Sequence, residues 1–243
     1  MKREDFSWIK FSHENVTMIS RIEAIRKIID QEVGLEPCLP GIAEIEQRYD
    51  ALYHDYIDGK LKHRELYDLA SDLDMDIDKL YSKMRHEWIL ANESTFVALR
   101  KRAQNLTSFD EVQETFEKFA TDEAMLNLRV GLSEEQIDEE RQKIQEQLNA
   151  YRNMVFSYIL TTDEWNDDFV KDILDIIASD LVDPYTINMI VSAVSLSCSV
   201  FMDAPRLAVL MRLIKSDDST CSVRQRALVG FVFSAITNSG EKQ

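Results

Sequence analysis

Phe169-Val170-Lys171-Asp172-Ile173-Leu174-Asp175-Ile176-Ile177 is the first of four apolar runs of helical period that follow one another between Trp165 and Ile236. The others are Ile187 to Phe201, Leu207 to Ile214 and Val223 to Ile236. Displacing the chain by 37 residues lays Val170, Ile173, Leu174, Ile176 and Ile177 on Leu207, Leu210, Met211, Leu213 and Ile214. A displacement of 38 lays Asp180, Tyr185, Ile190, Val191 and Val194 on Asp218, Val223, Leu228, Val229 and Val232. Two helical hairpins of nearly one period are therefore expected. Asp183-Pro184 and Asp203-Ala204-Pro205 each put a capping carboxylate ahead of a proline, which is tolerated in a first turn because amides there lack intrahelical partners. In the last run Leu228, Val229, Phe231, Val232, Phe233, Ala235 and Ile236 leave almost no polar stripe, so that helix calls for cover on several sides.

The stretch Ser222-Val223-Arg224-Gln225-Arg226-Ala227-Leu228-Val229-Gly230 resembles the second helix of a HEAT repeat, where a Val-Arg pair precedes a small residue and a Leu-x-Gly run. The resemblance covers the last third of the chain. It implies an α-solenoid scaffold without shared catalytic residues, and gives Arg224 a structural place in an Arg–Asp ladder with Asp218. The first hairpin departs from the pattern, since Thr186 stands at the arginine position.

The 243-residue chain is 45% apolar and 30% charged, which is globular composition. Its six glycines, Gly34, Gly41, Gly59, Gly131, Gly230 and Gly240, are scattered, so no phosphate-cradling loop is available. Alternating β-branched runs are missing as well, and the class is all-α. A net charge of −16 opposes nucleic acid and anionic membranes alike. The one run of three basic residues is Arg100-Lys101-Arg102. Cys38, Cys198 and Cys221 are odd in number and widely spaced, which fits free thiols in a reducing, cytoplasmic setting. The amino terminus lacks the apolar core of a signal peptide.

Before the repeats, Met18, Ile22, Ile25 and Ile29 mark a helix from about Glu14 to Glu32, ending at Gly34. Ile42, Ile45, Tyr49, Leu52 and Tyr56 mark a second, from Gly41 to Ile57, with its aromatic stripe expected in the core. Two more are expected from Lys62 to Ala70 and from Asp76 to Leu90, and shorter ones from Thr95 to Gln104 and from Phe109 to Ala120. Ser133 with Gln136 forms a capping box for a helix reaching Leu160, expected as the longest, at roughly 40 Å. The organisation expected is an N-terminal helical bundle over 1–132, a long connecting helix over 133–161 and HEAT-like stacked hairpins over 162–243.

Asp72, Asp74, Asp76 and Asp78 imitate the start of a calcium loop, but Ile77 and Lys83 occupy the positions of its glycine and terminal glutamate. A connection capping the next helix is the simpler reading. His54-Asp55 resembles the dipeptide of HD-type metal phosphohydrolases, which are also all-helical; of the other histidines, His13, His63 and His86, none stands in a ligand spacing. Ser192, Ser195, Ser197, Ser199 and Ser234 lie in apolar helices, where they suit close packing and bonds to carbonyls one turn back. Between Asp110 and Glu140 stand eleven acidic residues against Lys118 and Arg129, a solvated face or a docking surface for a basic partner. The leading expectation is a non-catalytic protein–protein interaction scaffold with no catalytic, cofactor or metal residues, belonging to a longer helical-repeat protein. Its partner is a protein or peptide, a basic one suiting the acidic face, or a second copy meeting the C-terminal repeats; nucleic acid and membrane are not expected. The alternative is an HD-like hydrolase using His54 and Asp55.

Overall fold

The computed structural model describes residues 17–126, 128, 133–163, 165–216 and 219–239, and it is all-helical. The helices are α1 (Met18–Gln31), α2 (Leu39–Ile57), α3 (His63–Asn92), α4 (Ser94–Ala103), α5 (Val112–Leu126), α6 (Glu134–Thr161), α7 (Asp167–Ala178), α8 (Pro184–Val200), α9 (Ala204–Lys215) and α10 (Cys221–Ser239), with a 3-10 turn at Glu36–Cys38. No strand occurs among the described residues. The chain divides into two compact units, Met1–Ser94 and Thr95–Gln243.

In the first unit α1, α2 and α3 bury Ile22, Ile25, Ile28 and Ile29 against Ile42, Ile45, Leu73, Ile77, Leu80 and Met84. Thr17 caps α1 through the Ser20 amide, and the chain turns away at Gly34. Gly34 is required twice over: its φ is +91°, and a Cβ there would meet the Ala91 Cβ at 2.2 Å. Trp88 Nε1 donates to Glu32 Oε2 at 3.2 Å and Asn92 Nδ2 donates to the Val33 carbonyl at 3.1 Å, tying the end of α3 to the end of α1.

The expected break at Asp72 to Asp78 does not occur, and α3 is one helix of 30 residues. The acids succeed on a helix because each has somewhere to go. Leu73, Ile77, Leu80 and Met84 recur every four or three residues on the buried side. Asp74 and Asp78, one turn apart, pair with Arg21 of α1, the latter at 2.7 Å, and Asp76 pairs with Arg48 of α2 and Lys79. Tertiary ion pairs offset the poor helix propensity of aspartate. At 28 residues α6 is accordingly not the longest helix. The aromatic stripe of α2 is also only partly inside: Tyr49 is half-buried, whereas Tyr56 is exposed.

The second unit is built from α4 onward. Where the sequence places a boundary after residue 132, α5 runs antiparallel along α6: Gln145 Nε2 donates to Glu123 Oε2 at 3.1 Å, Phe116 and Phe119 meet the Tyr151 ring at 5.1 and 6.0 Å, and Phe109 stacks on Tyr158 at 5.5 Å. Helix α5 runs with α7 in the same direction, since Phe109 also meets Phe169 at 4.4 Å and Ser179 Oγ donates to Glu117 Oε1 at 2.8 Å. Helices α5, α7 and α9 contact in sequence, as do α6, α8 and α10, and α8 lies between α6 and α10. Ile159, Ile173, Ile176, Ile190, Val191, Val194, Val209 and Leu210 form the shared core. The Ser133–Gln136 capping box is present, and burial along α6 concentrates in its second half, at Leu148, Val155, Ile159 and Leu160.

Candidate interaction surface

Helices α8 and α10 lie side by side in the same direction along a seam of small and polar residues. Ser222 Oγ donates to Asn188 Oδ1 at 2.8 Å, Arg226 donates to Ser192 Oγ at 2.7 Å, and the Ser199 and Ser234 hydroxyls are 3.3 Å apart. Between these, Gly230 sits so close to Ser195 that an added Cβ would meet its Oγ at 2.1 Å, its Cβ at 2.4 Å and its Cα at 3.2 Å. The serine hydroxyls are occupied as their spacing suggests: Ser192, Ser195, Ser199 and Ser234 each donate to the carbonyl four residues back at 2.8–2.9 Å. The Arg226 guanidinium serves Ser192 Oγ as a donor and has no acceptor with which to take its proton.

The buried side of α10 is narrow: Val223, Ala227, Gly230 and Ser234. Thr186, Ile190, Ala193 and Ser197 hold the same positions in α8 at a displacement of 37, and all four are fully buried. Burial therefore corrects the displacement of 38 for the second helices by one residue. At 38, buried Ile190, Val191 and Val194 would correspond to exposed Leu228, Val229 and Val232. In the corrected register Ser192, Ser195 and Ser199, which receive α10, correspond to Val229, Val232 and Ile236. These three, with Leu228 and Phe233, form a strip on the far side of α10 whose members are 46–65% exposed. A contiguous apolar strip on a stable helix is the usual anatomy of a protein-binding face.

Two buried arginines hold the starts of α8 and α9, each through the aspartate that caps the helix. Arg152 of α6 donates to Thr186 Oγ1 at 2.7 Å and to Asp183 Oδ2 at 2.8 Å, with its guanidinium 5.0 Å from the Tyr185 ring centre. Arg206 of α9 donates to Ser197 Oγ at 2.8 Å, to the Thr162 carbonyl at 2.8 Å and to Asp203, and lies 4.7 Å over the Trp165 ring. Asp183 and Asp203 are the N-caps of α8 and α9, as their place before proline suggests. Thr186, which matches Val223 in the corrected register, thus receives an arginine from α6. Partial burial pushes the Asp183 carboxyl up, but hydrogen bonds from Thr186 and Arg152 together outweigh it and hold it below the ordinary value. Burial pulls Arg206 below its ordinary value, against the opposing Asp203 carboxylate, and burial raises the Cys198 thiol.

A pH dependence follows for Asp183. A carboxyl depressed in the folded state supports stability above its unfolded pKa of about 3.9, and that support is lost as the pH falls through the folded value. The Tm deficit of Asp183→Asn relative to the parent is expected to be largest near about pH 6 and to shrink towards about pH 3. A deficit independent of pH in calorimetry would mean that the charge of Asp183 contributes nothing beyond its cap.

His54 is exposed near the end of α2, with the Tyr53 ring centre 6.2 Å from its own, and Asp55 accepts from Lys60 Nζ at 3.0 Å. No group of three or more metal-ligating side chains gathers around them among the described residues. The acidic stretch is divided between α5 and the start of α6 and is mostly exposed, with Glu117 and Glu123 spent on Gln113, Ser179 and Gln145. Hydrogen bonds from Gln113 and then Ser179 hold the Glu117 carboxyl below its ordinary value. Arg100, Lys101 and Arg102 fall in the last turn of α4, where cations favour the helix dipole. Arg224 donates to the Ser216 carbonyl at 2.8 Å, while Asp218, like His13, lies outside the described residues.

Comparison of the chain with protein families, curated proteins and solved structures finds no match. Arg152 and Arg206 escaped the sequence reading because arginines in amphipathic helices carry no sign of burial. The prolines behind Asp183 and Asp203 marked only the caps. The exposed strip escaped it because α10 is apolar on nearly every side.

Proposed function

We propose that this chain is a non-catalytic protein-interaction scaffold, an α-solenoid of the HEAT kind whose α10 strip receives another protein. The strip carries this reading: Val229, Val232 and Ile236 are exposed at the positions whose counterparts in α8, Ser192, Ser195 and Ser199, receive α10, and exposed Leu228 and Phe233 stand beside them. The sequential contacts α5–α7–α9 and α6–α8–α10 support the solenoid, because stacked hairpins generate such repeated faces and cover each with the next. Close α8–α10 packing along the small-residue seam makes the strip rigid, which reduces the ordering cost of binding. Cys38 and Cys198 are buried, where a thiol packs as a small hydrophobe, and this supports a reducing compartment such as the cytoplasm. Among the described residues no helix is long and apolar enough to cross a membrane.

The test is recovery of co-purifying proteins from the native cell with the parent and with Val232→Asp. Val232 is exposed, so the substitution is expected to leave helicity and Tm unchanged and to lower recovery of the specific partner at least about tenfold, as for a central apolar anchor. Equal recovery by both would remove the strip from the function.

A further inference from the structure

Resting on the reading of α10 as a docking face, we infer that the strip accepts a helix of another protein, laid parallel to α10, whose first turn carries carboxylates that meet Arg224 and Arg226. The direction comes from the seam already present. Helix α10 lies on α8 in the same direction, through Asn188–Ser222 at one end and Ser199–Ser234 at the other. Val229, Val232 and Ile236 repeat on α10 the positions by which α8 receives it, so a helix packed the same way sets its amino terminus beside that of α10. Apolar residues spaced three and four apart fill the strip.

The charge comes from the rims. At 100° per residue Arg224 and Arg226 stand about 100° to either side of the strip's midline, one on each rim of its amino-terminal end. Both are exposed, and each is hydrogen-bonded to a neutral acceptor, Arg224 to the Ser216 carbonyl and Arg226 to Ser192 Oγ. Neither forms an ion pair with a described residue. In a chain with 44 acidic and 28 basic residues this is a local inversion: no Asp or Glu stands between Pro184 and Val200 or between Cys221 and Ser239. Carboxylates in the first turn of an incoming helix would satisfy the two arginines and favour that helix's own dipole. A second copy of α10 brings no carboxylate within Cys221–Ser239, and a basic helix would set like charges together. The acid-headed helix is the occupant that the charges select.

Two hydrocarbon-stapled peptides of identical composition test this: each has a leucine stripe at spacings of three and four, one with three glutamates first and three lysines last, the other reversed. Stapling equalises helicity, and identical composition removes any effect of the protein's overall charge. By fluorescence anisotropy at low salt the acid-headed peptide is expected to bind about tenfold tighter than the acid-tailed one. The advantage should shrink at high salt and invert in Arg224→Glu/Arg226→Glu. Orientation is read from Cys221, the one exposed cysteine, at the first position of α10. A bromoacetyl group at the peptide's amino terminus is expected to alkylate it, and the same group at the carboxyl terminus is not. Equal binding of the two peptides, or capture from the carboxyl terminus, overturns the inference and leaves the docking face standing, provided Val232→Asp still loses its native partner. Sedimentation showing a dimer that Val232→Asp converts to monomer overturns it in favour of a second copy. If neither peptide binds and Val232→Asp recovers every partner, the docking face itself fails.

Discussion

Arg206→Ala is expected to lower the stability of the second unit by about 3 kcal/mol, the low end of what removing one partner from a buried ion pair costs. Three observations set the size. The guanidinium side chain is only 4% exposed and serves Ser197, Asp203 and the Thr162 carbonyl at once. It also covers the Trp165 ring at 4.7 Å and the Phe201 ring at 5.6 Å, so truncation opens space beneath two aromatics. The Asp203 side chain keeps 37% exposure, so its orphaned charge remains partly solvated and the upper end of the range is not reached. At about 2–4 °C per kcal/mol this is a fall of roughly 6–12 °C in the transition that reports Thr95–Gln243. Arg206→Lys should recover part of the loss, since it restores the charge without the planar fork that reaches Ser197 and Thr162 together. A shift below about 1 °C for Arg206→Ala would show that the α9 cap holds without it.

The second large effect is expected at Gly230. Alanine normally gains about 1 kcal/mol over glycine inside a helix. Here the added Cβ would lie 2.1 Å from Ser195 Oγ and 3.2 Å from its Cα, so either the serine leaves its rotamer or α10 moves away from α8. Overpacking of this kind costs about 1–3 kcal/mol, and displacement of the backbone puts Gly230→Ala towards the upper part of that range. The paired substitution is the sharper measurement. Ser195→Gly removes both side-chain atoms that the new Cβ meets, so Gly230→Ala/Ser195→Gly should be more stable than the sum of the two single losses by at least about 1 kcal/mol. Additive losses in chemical denaturation would mean that the helices do not meet at these two residues.

The same register explains both why α10 presents an apolar strip and why the strip is flanked by arginines. A helix that is apolar on most sides can be turned by one residue, 100°, without changing its composition on any face enough for a pattern to register. A displacement of 38 aligns aliphatic residues with aliphatic residues and looks correct. Only burial shows that 37 aligns the contacting sides, because Ala227, Gly230 and Ser234 are inside for their small size while larger Val229 and Phe233 remain outside. Close helix approach selected volume over hydrophobicity.

The caps were legible from local chemistry. Asp183 and Asp203 precede prolines, Ser133 precedes Gln136 by three, and each side chain accepts from a first-turn amide as its position implies. Helix ends are decided within about four residues, by groups that have no other partner. Continuity through Asp72–Asp78 was not legible for the opposite reason: it depends on Arg21 and Arg48, which stand on other helices. The candidate face shares that dependence. Its residues were visible as apolar, but which of them face outward was settled by where α8 ends up.

By itself, then, the amino-acid sequence determined an all-helical chain and the starts of its capped helices, since period and capping are interactions between near neighbours. The tertiary structure alone decided the phase of α10, the burial of Arg152 and Arg206 and the exposure of Val229, Val232, Phe233 and Ile236. Those depend on contacts between residues tens of positions apart, where shape and charge of the partner surface, rather than local preference, choose the side that is hidden.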